Sequence, residues 1–442
     1  MTPRRKKLLP AVRWRGGHAI VIVLLLLFLE RLLALRTLGV QYTLASDDLS
    51  YVNAGIRFAQ TGMVTMHGTT PSAQAMPGMA WIIGVLAWIL GDGAALWTAL
   101  KLLWITMGTA TAWFLFRSVS LFAPQWCGLL ACLPLFGPDF VWTDNLILTE
   151  TPFILSLSAM LYFTLLLGKK QSRGAFAGCF VSYLAALLLK ANIALYPLLA
   201  LPYLLSAKYP FRRLLRQGVI LACGVACVLV PWTVRNYVLF HDFIPLTYGA
   251  GNPALLGTYQ GYGYPEDDEL DYETYVDEPF AEEYAEYLST TGSEAERYAK
   301  YLSLQYDGAK ASYRMRAWAE KDMVSLLISY GVLKPLMIIN GVFYWQRVFD
   351  IPVGWVQRLQ QINLVLCMLT LVASLLRKRL RRETVFLAAV YLGNVAIYAM
   401  TFAFGRYSIG LMPARCLLPG FGAALLCNEI LRRRKRKGSP MR

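Results

Sequence analysis

The sequence predicts an all-α, polytopic membrane protein, and two observations predict it: the composition and the spacing of the apolar runs. Of the 442 residues, 57% are apolar and 16% are charged, whereas a soluble domain carries roughly 25% charged residues. The net charge of +16 would suggest a nucleic-acid partner in a soluble chain. Here the basic residues stand in short blocks between apolar runs of about 20 residues, enough to cross about 30 Å of hydrocarbon. We therefore expect membrane lipids and no nucleic acid as partners.

About ten apolar segments have the length of a membrane span. They are residues 18–38, 95–117, 125–142, 149–167, 174–190, 192–206, 214–234, 355–376, 384–404 and 408–430. Two further apolar segments are predicted to make no net crossing. Segment 77–90 is short for a span and is expected to be an interfacial helix, and segment 323–345 is broken by Lys334 and Pro335.

Five basic blocks determine the predicted orientation, since loops rich in Lys and Arg stay in the cytoplasm. They are the N-terminal arm up to Arg15, Lys169–Arg173, Lys208–Arg216, Arg377–Arg382 and Arg432–Lys437. Ten crossings place all five blocks, and both termini, on the cytoplasmic side of the cell (plasma) membrane. The first apolar run has no A-x-A-like cleavage site after it and is expected to be a retained helix.

This topology divides the chain into five parts. They are a cytoplasmic basic arm (1–17), an N-terminal transmembrane module (18–234) with a first outer loop at 39–94, a large outer loop (235–354), C-terminal transmembrane helices (355–430) and a cytoplasmic basic tail (431–442). The large loop is acidic and rich in tyrosine around residues 266–287. Either it is a solvated external loop, or it binds carbohydrate or cations, because tyrosine rings stack on sugars and carboxylates accept from hydroxyl groups.

The first outer loop contains two adjacent carboxylates, Asp47 and Asp48, followed by Tyr51. Such a pair just outside a span suits a general base and a group that orients it or shares a cation. The alternative is an ordinary helix N-terminus, capped by Ser46 or Asp47. Sequence spacing alone leaves both interpretations open.

A second pair of carboxylates, Asp144 and Glu150, lies where one apolar run ends and the next begins. Glu150 precedes Pro152, so it could simply be a carboxylate at a helix start. Its functional interpretation is contact with an acceptor or a metal ion.

Four cations lie near the same end of the predicted spans, where a charge in hydrocarbon costs at least about 2.5–3.5 kcal/mol. They are Lys101, Lys190, Arg235 and Arg406. Each alone could snorkel to the interface, but four together would form a site for an anion such as a lipid phosphate. Glu30 and Arg31 in the first span are expected to compensate each other.

The order of these motifs resembles the membrane glycosyltransferases of the GT-C fold, in particular the family 39-like group of protein O-mannosyltransferases and bacterial aminoarabinose transferases. Asp47-Asp48-Leu49-Ser50-Tyr51 is similar to the Asp-Glu-x-x-Tyr motif of that group. Further similar stretches follow in the family's order: Pro77-Gly78-Met79, Leu100-Lys101-Leu102, Leu148–Pro152, Pro231–Asn236 and Arg406-Tyr407 through Met412-Pro413.

The resemblance implies a GT-C-like bundle whose enzyme moves a sugar from a polyprenyl phosphate to a hydroxyl group outside the cytoplasm, with inversion. It implies that Asp47 is the general base, that Asp48 orients a partner or shares a cation, and that Glu150 binds acceptor or sugar. Lys101, Lys190, Arg235 and Arg406 would stabilise the phosphate. The other residues expected to bind substrate are Tyr51, Asp144, Asn236 and Tyr407. The acceptor would be an envelope glycan, a lipid or a protein.

The chain departs from this pattern at two places. Asp48 stands where the family has Glu, and Gln74-Ala75-Met76-Pro77 stands where metal-using relatives carry Glu. We therefore expect no required cofactor, with a divalent cation (Mg²⁺ or Mn²⁺) on oxygen ligands as the alternative. Two other functions stay open: a transporter or flippase of lipid-linked sugars, and a non-catalytic multispan protein whose acidic loop binds a partner. The sequence has no evident internal repeat, which disfavours a transporter.

Overall fold

The computed structural model describes residues 16–437 and the side chains of residues 18–427, and it is helical. The basic arm predicted at 1–17 lies almost entirely outside the described residues. The helices are α1 (Gly16–Leu38), α2 (Asp47–Thr61), α3 (Gly78–Leu90), α4 (Ala94–Ser120), α5 (Gln125–Leu130), α6 (Pro138–Thr143), α7 (Glu150–Lys170), α8 (Arg173–Leu189), α9 (Tyr196–Ser206), α10 (Phe211–Phe240), α11 (Gly251–Gly257), α12 (Glu278–Glu283), α13 (Ala285–Leu288), α14 (Gly292–Ile328), α15 (Lys334–Ile339), α16 (Val353–Arg377), α17 (Arg381–Ala399) and α18 (Gly405–Lys437). Between residues 16 and 437 there is no β-strand.

Among the described residues, seven helices are long and apolar enough to cross a membrane, so the chain is a multi-pass membrane protein. Six of them, namely α1, α4, α7, α10, α16 and α18, coincide with predicted spans. The predicted span 125–142 consists instead of short pieces, because Pro134, Gly137 and Pro138 interrupt the helix. The predicted spans at 174–190 and 192–206 are the shorter helices α8 and α9. The total of ten crossings stays a prediction.

The seventh apolar helix is the segment from Gly292 to Ile339, which contains residues 323–339 of the segment 323–345 that is predicted to make no net crossing. Non-helical backbone at Asp322 interrupts it. Beyond that kink, Lys334 donates a hydrogen bond of 3.0 Å to the carbonyl of Gly257, and α15 packs against α17 and α18. The number of times this segment crosses a membrane is therefore not determined by its length.

The helices form one bundle with two chemically different ends. We call the end where α2 lies, and where α7 and α18 begin, the site end. We call the other end, where α7 finishes at Lys170 and α16 at Arg377, the basic end. Of the predicted tail (431–442), the structure describes the backbone as far as Lys437, where α18 ends, and residues 438–442 lie outside the described residues.

Residues 242–322 form an acidic lobe that packs on the loop between α2 and α3. This segment carries 17 acidic and 6 basic side chains, a net charge of −11 in a chain of net charge +16. Tyr248 binds Ser72 through their hydroxyl groups at 2.9 Å. Inside the lobe, the fully buried Arg314 binds Asp267 and Tyr272 and lies over the ring of Tyr259. Tyr259 and Tyr272 thus pack around a buried arginine, in addition to the tyrosines of the lobe that face solvent.

The packing of α11 on α14 depends on Gly251, because a Cβ at this position would overlap the carbonyl oxygen of Leu304. Backbone cannot move aside as a flexible side chain can, so we expect Gly251→Ala to destabilise the lobe by about 1–3 kcal/mol. Limited proteolysis between α11 and α14 should then become faster. Gly354→Ala is the matched control, because that position faces open space. Equal cleavage rates in the two variants would contradict this assignment.

Candidate functional site

The site begins at the N-terminus of α2, which places two adjacent carboxylates in different surroundings. Ser46 precedes the helix but makes no side-chain capping hydrogen bond. Asp48 is buried and accepts hydrogen bonds from the backbone amides of Leu44 (2.6 Å), Ser46 (3.2 Å) and Leu49 (2.9 Å). Through these hydrogen bonds Asp48 holds the turn before α2, and this turn positions the neighbouring Asp47.

Asp47 is the more exposed carboxylate of the pair, and side chains from distant parts of the chain bind both of its oxygens. Arg406 donates from Nη1 to Oδ2 at 2.5 Å, and His67 lies with Nε2 3.2 Å from Oδ1. The hydrogen bond to His67 and the charge of Arg406 hold the pKa of Asp47 well below its usual range, although partial burial opposes them. Asp47 is therefore ionised at neutral pH.

Arg406 joins Asp47 to the second predicted carboxylate, Glu150. Its guanidinium donates from Nε to Oε1 at 2.8 Å and from Nη2 to Oε2 at 3.1 Å, a bidentate pair. Lys190 donates to the same Oε1 at 3.0 Å. These ion pairs bring four elements together at the start of α2. Glu150 is the first residue of α7, Arg406 is the second residue of α18, and Lys190 directly follows α8. We call Asp47, Glu150, Lys190 and Arg406 the ion cluster.

The ion cluster has an open side and a closed side. The side chain of Glu150 is 1% exposed, and those of Lys190 and Arg406 are each 12% exposed, whereas Asp47 and His67 are 33% and 34% exposed. Two carboxylates balance two cations, so the cluster is neutral in itself. An anion that enters must therefore compete with a carboxylate for Arg406 or Lys190.

Aromatic rings surround the closed side. Arg406 lies over the ring of Phe343 at 5.9 Å, and Lys190 over that of Phe153 at 5.4 Å. Tyr407 stacks on Tyr398 with ring centroids 4.5 Å apart and an interplanar angle of 14°. Tyr51 is buried beside the cluster, and this burial raises the pKa of its phenol. These rings exclude water and so strengthen the electrostatic interactions within the cluster.

Four predicted site residues have their contacts elsewhere. Lys101 donates to the carbonyls of Tyr42 (2.7 Å) and Asn145 (2.5 Å). Asp144 accepts from Arg31 at 2.6 Å, so the expected self-compensation of Glu30 and Arg31 is secondary, at 3.6 Å. The remaining two are adjacent on α10.

Arg235 fastens the loop between α2 and α3, which carries His67, and Asn236 binds Arg235. Arg235 donates to the carbonyls of Ser72 (2.9 Å) and Val64 (3.1 Å) and to the side chain of Asn236 (2.8 Å). Asn236 donates to the carbonyl of Ile244 at 2.9 Å. These two residues therefore reach the ion cluster through the loop rather than by direct contact.

His67 is a site residue that the sequence analysis did not single out. It stands alone in a Gly- and Thr-rich loop, where neither spacing nor a second histidine signals a site. Its ring contacts Asp47 through Nε2 and the hydroxyl of Ser50 through Nδ1, at 2.9 Å. Within the described part of the chain, no group of three or more His, Cys, Asp or Glu side chains is arranged to hold a metal ion.

Two apolar grooves lie away from the ion cluster. One, of about 840 Å³, runs between α5, α6, α16 and α18, with Arg377 at its basic end. The other, of about 520 Å³, lies among α7, α8, α9 and α10. By volume alone these grooves would be candidate substrate sites. Their linings are mostly apolar, however, which suits hydrocarbon chains rather than proton or group transfer.

Comparison with solved structures identifies the fold. The archaeal oligosaccharyltransferase AglB from Archaeoglobus fulgidus, in complex with an inhibitory peptide and a dolichol-phosphate, matches 97% of this chain with a TM-score of 0.56 and 10% sequence identity. The chain covers about half, 53%, of the length of that enzyme. The likeness shows a shared fold, and the predicted GT-C-like helical bundle is thereby confirmed.

Two structures of ArnT from Cupriavidus metallidurans also match nearly the whole chain. The apo structure matches 96% of this chain and 81% of its own at 16% identity, with a TM-score of 0.39. The structure bound to undecaprenyl phosphate matches 97% and 82% at 15% identity, with a TM-score of 0.43. No protein-family model matches the sequence, and no curated protein matches it either.

Proposed function

We propose that this chain is an inverting glycosyltransferase that moves a sugar from a polyprenyl-phosphate donor to a hydroxyl group of an envelope glycan, lipid or protein. One observation carries the proposal: Arg406 binds Asp47 and Glu150 together, 359 and 256 residues away in sequence, with Lys190 beside them. A solvent-accessible carboxylate and two cations are thus joined in one hydrogen-bonded cluster. The shared fold with an oligosaccharyltransferase agrees with this reaction class.

The ion cluster supplies what a phosphate leaving group needs. Negative charge develops on the phosphate as the bond to the sugar breaks, and preorganised cations in a water-poor site stabilise that charge. Arg406 and Lys190 are held by Glu150 at the closed side, where rings exclude water. Asp47 lies at the open side, where a hydroxyl acceptor can enter from water. Donor phosphate and acceptor would therefore approach the anomeric carbon from opposite sides, which implies inversion.

The proposed orientation puts the site end outside and the basic end, with both termini, in the cytoplasm. Among the described residues, two of the basic blocks lie at the basic end of the bundle, since Lys169 binds the carbonyl of Leu121, Arg382 that of Ser206 and Arg377 that of Leu425. Loops with such an excess of Lys and Arg stay inside. The acidic lobe belongs to the opposite end.

The test is a turnover assay with purified protein in nanodiscs, a polyprenyl-phosphate sugar and a pool of hydroxyl acceptors. We expect release of polyprenyl phosphate that depends on both substrates. Arg406→Gln should lower the release rate by about 10²–10³-fold, the usual effect of removing one preorganised donor to a developing charge.

Arg379→Gln, an exposed arginine of the basic end, is the matched control and should release at the wild-type rate. Movement of the donor across the membrane without any release would contradict the transferase and support a flippase.

A further inference from the structure

Ser50, His67 and Asp47 form a continuous hydrogen-bonded row at the open side of the ion cluster. Ser50 and Asp47 lie one turn apart on α2, and the imidazole of His67 bridges them, with Nδ1 2.9 Å from the Ser50 hydroxyl and Nε2 3.2 Å from the Asp47 carboxylate. His67 has a left-handed backbone, with φ of 53°. A residue other than glycine adopts this conformation only at a cost in free energy. Here it turns the ring of His67 back towards α2.

The row determines which nitrogen of His67 carries the proton when the ring is neutral. An ionised carboxylate only accepts hydrogen bonds, so Nε2 must donate to Asp47. Nδ1 then has a free lone pair and accepts from the hydroxyl of Ser50. This is the arrangement of a hydroxyl group, a base and an orienting carboxylate that activates hydroxyl nucleophiles in other enzymes.

Asp47 itself is poorly placed to take a proton. Its two oxygens are engaged by Arg406 and His67, and the same contacts hold its pKa well below the usual range. A base this weak gives little driving force for removing a proton from a hydroxyl group at neutral pH. The neighbouring imidazole is the other acceptor within reach.

We propose that His67 is the general base, that its Nδ1 takes the proton of the acceptor hydroxyl, and that Asp47 is the positioning residue that fixes the ring. This inference rests on the proposed glycosyl transfer. The acceptor hydroxyl replaces that of Ser50 at Nδ1. Its oxygen forms the bond to the anomeric carbon while the bond from that carbon to the phosphate oxygen breaks. The proton passes to Nδ1, the bonding electrons leave with the polyprenyl phosphate, and the imidazolium then gives its proton to water or to the departing phosphate.

The charged groups that face His67 are known from its contacts. Asp47 on α2 lies against the ring, and Arg406 on α18 and Glu150 on α7 lie beyond Asp47. Of these three groups, Asp47 is the one in contact with the ring.

The test uses His67→Gly, since glycine adopts a positive φ without strain and the loop keeps its course. We expect kcat to fall by about 10²–10³-fold, within the range for loss of a general base, and added imidazole to restore turnover with a pH dependence that follows its own titration. His241→Gly is the matched control, because His241 is exposed and also has a left-handed backbone, with φ of 52°. It should keep the wild-type rate and gain nothing from imidazole.

Two results would overturn the proposal while leaving the proposed glycosyl transfer intact. They are a His67→Gly rate within about threefold of wild type and a loss of rate that imidazole does not restore. If wild-type protein binds donor but releases no polyprenyl phosphate with any acceptor, the proposed function itself fails. The two failures are therefore distinguishable.

Discussion

Replacing Asp47 with asparagine is expected to lower turnover by about 10⁴-fold, as loss of an orienting carboxylate does in hydrolases that use a histidine base. An amide in place of the carboxylate can turn its NH₂ group towards Nε2 of His67, which forces the proton onto Nδ1. The nitrogen that faces the acceptor would then be a donor rather than a base. Release of polyprenyl phosphate measures this effect.

Donor binding should behave differently in the same variant. Arg406 keeps its bidentate pair with Glu150, and removal of a negative charge beside it lowers the repulsion of an incoming phosphate. We expect donor affinity equal to or above that of wild type. Asp242→Asn is the matched control, because this carboxylate accepts from Tyr301 in the acidic lobe at 2.8 Å. Unchanged turnover in Asp47→Asn would remove Asp47 from the reaction.

Arg31→Met is expected to destabilise the fold by about 3–5 kcal/mol. Arg31 is fully buried in α1 and binds Asp144 at 2.6 Å and the carbonyl of Leu135 at 2.9 Å. Its loss leaves the carboxylate of Asp144 buried without its cation. Thermal unfolding in detergent, followed by helix content, measures the effect.

The double variant Arg31→Met with Asp144→Asn should recover most of this loss, because both charges are then absent and Thr151 can still donate to residue 144. Arg36→Met, an exposed arginine of the same helix, is the control and should unfold at the wild-type temperature. A stable double variant that has lost turnover would show that Asp144 binds substrate, as the sequence predicted.

The fold was predictable because its causes are local. Apolar length, proline and glycine positions and charged blocks decide where helices run in a membrane, and they are visible in any window of about 20 residues. The errors fall where local signals conflict. At 125–142 the composition is that of a span, but Pro134 and Pro138 remove the backbone donors that a continuous helix needs.

The grouping of charges in the candidate site was predictable for side chains that bind no backbone group. Asp47, Glu150, Lys190 and Arg406 were expected together, and the structure brings them together. Their roles stay a prediction. Lys101 and Arg235 were also expected to face an anion, but they donate to backbone carbonyls of the loops between helices. The charge of a lysine can be read from the sequence, but the position of the backbone carbonyls that accept its hydrogen bonds cannot. His67 was missed because its contact with Asp47 depends on the backbone conformation of one loop residue.

The pairing of Arg406 with two carboxylates has a consequence for the proposed reaction. With no substrate bound, Arg406 and Lys190 already have counterions. If the chain transfers a sugar as proposed, Asp47 and Glu150 would reclaim the guanidinium from the spent carrier once the reaction ends. Expulsion of the product and restoration of the starting state would then be the same event.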